Sequence, residues 1–156
     1  MSGEVYFSKE LVFKNLEFKN NIEALKFLAK KLWEKGFVKK EYEKAILDRE
    51  EEYPTALPSI DVKIAIPHAD HKLVNKASLA VGVLKNPVEF RAMDDPNKKL
   101  NVSIIIMLAL SEPHGHIEML QKIVKLIQNS ELLKQIVKAS SDEEIIDELT
   151  PYLMAN

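Results

Sequence analysis

Four histidines (His68, His71, His114 and His116) and one arginine set among acids (Arg49) are the side chains here whose types and spacing point to chemistry. A neutral imidazole is a nucleophile near pH 7 without strong activation. A ring nitrogen can take a phosphoryl group and pass it on. Such a site needs a held ring, donors for the phosphoryl oxygens, and access for the donor and acceptor molecules; transfer is then mainly positioning and charge stabilisation. Arg49 suits the second need, because a guanidinium offers fixed paired N–H groups to an oxyanion. The stretch Ile64-Ala65-Ile66-Pro67-His68-Ala69-Asp70 suits the first. Pro67 lacks an N–H and fixes its own φ, so strand pairing lapses there, and it biases Ile66 towards an extended conformation. His68 is therefore predicted to sit stiffly at the end of a strand.

Other chemistries fare worse. With no cysteine among 156 residues, disulfides, thiolate nucleophiles and zinc–cysteine sites are excluded. GxSxG and HExxH are absent, and the four glycines are too scattered for a phosphate-cradling loop. A zinc or manganese hydrolase built on His68-Ala69-Asp70-His71 and His114-Gly115-His116 is the rival reading, but their spacing fits no standard zinc pattern. We expect no metal and no cofactor. Lys plus Arg number 22 against 24 for Asp plus Glu, so there is no electrostatic case for nucleic acid. The longest apolar run, Ile104 to Leu110, is far too short to cross a bilayer, and MSGEVYFSKE lacks the regions of a signal peptide. A cytoplasmic protein with no direct membrane insertion is expected.

The elements that must position these side chains follow from pattern. Ile22, Leu25, Leu28 and Leu32 predict a helix over 21–35, capped by Asn21 and stopped at Gly36. A second helix is expected over about 39–50, its terminal acids, including Glu50, forming a solvated face. Alternation through Ile60, Val62, Ile64 and Ile66 predicts a strand with one buried face. Ser78 to Leu84 predicts another, broken at Lys85-Asn86-Pro87, with a separate short strand at Val88 to Phe90. Short extended pieces at Val5 to Phe7 and Leu11 to Phe13 are further candidates. Val102 to Leu110 reads as a central strand buried on both faces. Pro113 opens a helix whose core stripe is read as Ile117, Leu120, Val124 and Ile127. Two more helices follow, around Leu132 to Val137 and after the capping box Ser141 to Glu144. The whole chain, 1–156, is expected to form one α/β domain, with a sheet of four or five strands covered by helices.

His68 and His116 each follow a strand. If those strands are parallel neighbours, both rings meet at one sheet edge, where α/β proteins commonly place sites. His71 and His114 are read as surface residues.

Ile64-Ala65-Ile66-Pro67-His68-Ala69 resembles the active-site signature of the type-2 enzyme IIA domains of the bacterial sugar phosphotransferase system. The resemblance extends to Arg49-Glu50 ahead of Tyr53-Pro54-Thr55, to the strand at Val102–Leu110, and to the segment His116 to Leu120. It implies an α/β sandwich with a mixed sheet. It also implies that His68 accepts a phosphoryl group from the histidine-phosphorylated carrier protein HPr. His68 would then donate it to the cognate IIB component, with the membrane IIC permease served indirectly. His116 and Arg49 would hold the ring or the phosphoryl oxygens. Arg49 to Leu57 and the Pro-His-Ala-Asp ending look most like the galactitol-type branch, although Asp61 stands where many members have a small residue. The alternative role within the family is that of a nitrogen-type regulatory protein whose phosphorylation state controls partner binding.

Overall fold

The computed structural model describes residues 5–154. Four strands form one mixed sheet: β1 (Val12–Leu16), β2 (Lys63–Ala65), β3 (Ser78–Arg91) and β4 (Lys99–Ala109), in the order β1-β3-β4-β2. β3 and β4 pair antiparallel, whereas β1–β3 and β2–β4 are parallel. Five helices cover the two faces: α1 (Asn21–Glu34), α2 (Tyr42–Glu52), α3 (Pro113–Ile127), α4 (Ser130–Val137) and α5 (Asp142–Leu153). Period-two alternation in the strands divides the interior. Ala65, Ile105 and Met107 face α1 and α2, while Ile64, Ile66, Ile104, Ile106 and Leu108 face α3, α4 and α5. From Val102 to Ala109, β4 is buried on both faces except at Ser103, as its continuous apolar run predicts.

Several expectations are corrected. The strand predicted from Ile60 shrinks to three residues, and Ile60 is 88% exposed. Here the chain bends: Ser59 Oγ donates to Val62 O, and Lys63 Nζ donates to the carbonyls of Ser59 and Asp61. Nor does β2 have one buried face, since Ile64 and Ala65 enter opposite cores. Pro87 does not end β3. The register against β4 shifts between Val83 and Val88, and the extra residues bulge so that pairing resumes. The cap of α1 is Asn20, whose side chain accepts from Glu23 N–H, and Ile22 is exposed. α2 starts later and runs on to Glu52. On α3 the buried residues are Met119, Ile123 and Leu126, while Ile117 and Val124 are exposed. Apolar residues span so wide an arc of this helix that spacing alone admits two stripes, and packing chooses between them. The remaining caps behave as read: Ser141 accepts from Glu144 N–H, and Gly36 stops α1 with a φ of 83°, where glycine is favoured. The extended pieces resolve into β1, preceded by a single bridge between Tyr6 and Ser78.

Tyr42, fully buried at the start of α2, donates its hydroxyl to Leu108 O at 2.7 Å. Phenylalanine in its place would leave that carbonyl short of a partner in a dry interior. Tyr42→Phe should therefore cost about 1–3 kcal/mol, read as a lower urea midpoint at unchanged slope. An unaltered midpoint would show that the bond contributes nothing.

Candidate active site

Leu108 is where the site is assembled. Its N–H donates to Pro67 O at 2.9 Å, and the parallel pairing of β2 with β4 continues as a bridge between His68 and Leu108. Pro67 has no N–H to extend the ladder, so the chain leaves the sheet with His68 at its edge. β4 runs on through Leu110 into α3, which Pro113 opens at its first position, and His116 lies in the first turn. The parallel pairing on which the meeting of the two histidines depended is present. Their ring centroids are 4.7 Å apart, with planes tilted by 34°.

His68 Nδ1 lies 3.0 Å from Ile66 O. A carbonyl oxygen can only accept, so Nδ1 carries the proton and Nε2 keeps a lone pair. Burial lowers the pKa of His68; the bond to Ile66 opposes this and the Arg49 charge adds to it. His116 is pushed down to about 4, first by burial and then by the charges of His68, Arg49 and His71. Its Nε2 is buried without a hydrogen-bond partner among the described residues. A buried polar atom left unpaired is costly, and an incoming ligand oxygen would satisfy it.

Arg49 stands on the last turn of α2, its guanidinium carbon 5.1 Å from the centre of the Tyr53 ring. No ion pair engages it among the described residues. An open depression of about 290 Å³ is lined by Arg49, His68, Asp70, His71, Pro113 and His116. All three candidate residues are therefore brought together. His114 is exposed, as expected. His71 is not simply a surface residue: Asp70 caps the short turn that carries it and holds Oδ1 3.3 Å from its Nδ1 beside the other rings. Its spacing of three from His68 was the available signal. Among the described residues, no three His, Asp or Glu side chains converge as a metal ion would require.

Glu50 departs furthest from its reading. It is 5% exposed and accepts from Thr55 N–H at 2.9 Å and from Thr55 Oγ1 at 2.7 Å. Burial pushes its carboxyl up to about 7; the two Thr55 bonds and the Arg91 charge pull the other way. Glu50 helps line a cavity of about 420 Å³ that has no histidine in its wall. Asp48 and Glu51 of α2, Glu89 and Arg91 of β3, and Lys99 of β4 line that cavity. The hint in the sequence was acids at a helix C-terminus, where the dipole disfavours them.

A family profile described as "Phosphoenolpyruvate-dependent sugar phosphotransferase system, EIIA 2" matches residues 5–151. The chain belongs to this family. The fructose-specific EIIABC component of the phosphotransferase system of Bacillus subtilis (strain 168) is 33% identical over 108 residues. That match takes in 68% of this chain but only 16% of the relative, so the chain corresponds to a small part of that protein. The galactitol-specific EIIA component of Escherichia coli (strain K12) is 25% identical over 141 residues, covering 89% of this chain and 91% of that one. Among solved structures, the complex of enzyme IIAMTL with phosphorylated enzyme IIBMTL from Escherichia coli matches with a TM-score of 0.75 at 22% identity, over 92% of this chain and 98% of that one. The mixed sheet and its covering helices are the fold of this family.

The depressed histidines have a consequence for the EIIA fold of this chain. Unfolded, their rings take protons near the ordinary value of 6.5; folded, they resist until lower pH. Their contribution to stability is present above 6.5 and is lost as pH falls towards 4. Imidazole NMR titration should find His116 neutral at pH 5 and His68 titrating below 6.5. A midpoint above 6.5 for either ring would contradict the burial described here.

Proposed function

We propose that this chain is a phosphoryl-transfer component of a sugar phosphotransferase system, in which His68 accepts a phosphoryl group from histidine-phosphorylated HPr. His68 passes it to a cognate IIB component in the cytoplasm, and so serves a IIC permease without touching the membrane. The observation that carries this reading is the bond from His68 Nδ1 to Ile66 O with His116 at 4.7 Å, since it leaves Nε2 ready beside an unpartnered polar atom. The Nε2 lone pair attacks phosphorus while the donor's N–P bond breaks, and the donor ring departs with that electron pair. No proton crosses: the proton stays on Nδ1, donated to Ile66 O, and that bond steadies the positive charge the ring acquires. Arg49 and His116 receive the phosphoryl oxygens. The second transfer runs the same step in reverse, onto IIB. A galactitol-type system is favoured by the local resemblance at Arg49–Leu57 and by a galactitol-specific relative matched along nearly its full length. A IIB partner is in keeping with the complex formed by the structurally similar IIAMTL.

Incubation with phosphorylated HPr should yield an acid-labile, alkali-stable phosphohistidine that mass spectrometry places on His68. His68→Ala should take no label, and labelling equal to the parent chain would defeat the assignment. His116→Ala should fold normally and transfer more slowly by on the order of 10²-fold, the usual cost of one lost oxyanion donor. Acceptance should hold steady from pH 8 down to 6.5 and fade below it, because only the neutral ring attacks. Among purified IIB proteins, a galactitol-type one should discharge the chain fastest, and a faster fructose- or mannitol-type IIB would reassign the sugar.

A further inference from the structure

We propose that Glu50 is a positioning residue for His68, acting through Thr55 and Ile66. The proposal rests on the reading of His68 as the reacting imidazole. Four hydrogen bonds, linked through the backbone of Thr55 and of Ile66, join the two. Glu50 accepts both the N–H and the hydroxyl of Thr55, at 2.9 and 2.7 Å. Thr55 O accepts the N–H of Ile66 at 3.1 Å, and Ile66 O accepts Nδ1–H of His68 at 3.0 Å. Every link points the same way, with each donor facing the carboxylate end. The coupling is positional: anchoring Thr55 sets its carbonyl against Ile66 N–H, and the Ile66 carbonyl, which can only accept, fixes the ring's tautomer and plane. These bonds also tie the end of α2 and the segment after it to the segment after β2, which carries His68. Glu50 follows Arg49 directly, and the two residues divide the work: one faces the open depression, the other is locked behind it.

A merely structural carboxylate would be a poor choice here. The folded pKa lies above the unfolded value of 4.5, so the stability linked to the protonated form is full below 4.5 and is lost as pH rises through about 7. The charged groups beside it (Arg91, Lys99, Asp48, Glu51 and Glu89) do not outweigh its burial. Above neutrality the ionised side chain costs stability that a neutral isostere would not. Glutamine keeps the shape: its oxygen can accept Thr55 N–H and its amide can donate to Thr55 Oγ1. Only the charge and the direction of one bond change.

The test compares Glu50→Gln with the parent chain at pH 8 by three measurements: imidazole 15N shifts of His68, melting temperature, and the rate of phosphoryl acceptance from phosphorylated HPr. We expect the nitrogen shifts to move from a pure Nδ1–H tautomer towards a mixture. The melting temperature should not fall, and acceptance should slow by roughly three- to tenfold, the rate equivalent of one hydrogen bond. Unchanged shifts, or an unchanged rate, would overturn the proposal. Thr55→Val and Thr55→Ser provide a second route should the glutamine variant fold poorly. Valine, lacking the hydroxyl, should reproduce the change in the nitrogen shifts and serine should restore the parent pattern; parental shifts in the valine variant would overturn the proposal too. If HPr leaves even the parent chain unlabelled, the functional reading fails, while the nitrogen shifts still decide whether Glu50 holds the ring.

Discussion

The backbone of Leu108 is the joint on which the site depends. Its N–H holds the carbonyl of Pro67, and its own carbonyl is held by the buried Tyr42 hydroxyl. Three separate pieces of chain thereby meet at one residue: the strand that delivers His68, the helix that delivers Arg49, and the strand that leads into His116. None of these side chains is near another in sequence. Each is placed by backbone bonds inside a dry core, where such bonds are strong and leaving one unmade is expensive. The site is thus as rigid as the sheet edge that bears it. That suits a reaction whose barrier is lowered by alignment and by fixed dipoles rather than by covalent work in the protein.

Electrostatics add a second constraint, and it pulls in two directions. An acceptor imidazole must be uncharged before transfer, yet it carries positive charge once the phosphoryl group is attached. Burial secures the first condition by disfavouring the protonated forms of His68 and His116. The carbonyl of Ile66 serves the second, because its bond to Nδ1 strengthens as the ring becomes cationic. In the proposed transfer the charge for the arriving dianion would come from Arg49, an exposed side chain that lines the depression. A neutral nucleophile and a permanent cation can thus share one pocket across the neutral pH range.

How much of this was legible in the residues themselves divides along physical lines. Features set by local covalent and steric rules were readable. Pro67 ends a ladder because it has no N–H, Pro113 starts a helix for the same reason, and the β-branched run of β4 is buried on both sides. Features set by competition between distant parts were not. Ile60 has the right period for a strand, but Ser59 just before it and Lys63 just after it bond across the bend and turn the chain away before pairing begins. Pro87 reads as a break, yet a bulge absorbs it because β4 offers a partner on the other side. α3 carries apolar residues around most of its circumference, and only contact with the sheet selects Met119, Ile123 and Leu126. Glu50 was hidden for a similar reason, since its partner Thr55 lies beyond the end of the helix and folds back upon it.

Glu50 also shows why burial and charge in this region are better understood as one arrangement than as separate facts. An ionisable group so deeply enclosed lowers stability unless it is paired, and here its direct partners are an amide and a hydroxyl rather than a cation. Selection for stability alone would favour a neutral residue at that position. What the ionised carboxylate supplies and an amide does not is two acceptor atoms with no donor, so that the Thr55 hydroxyl donates in only one sense. A fixed Thr55 carbonyl holds Ile66 N–H, and the Ile66 carbonyl so placed keeps the proton on Nδ1 of His68. On the proposal made above, the placement of the nitrogen that would react begins at a residue that does not itself line the depression.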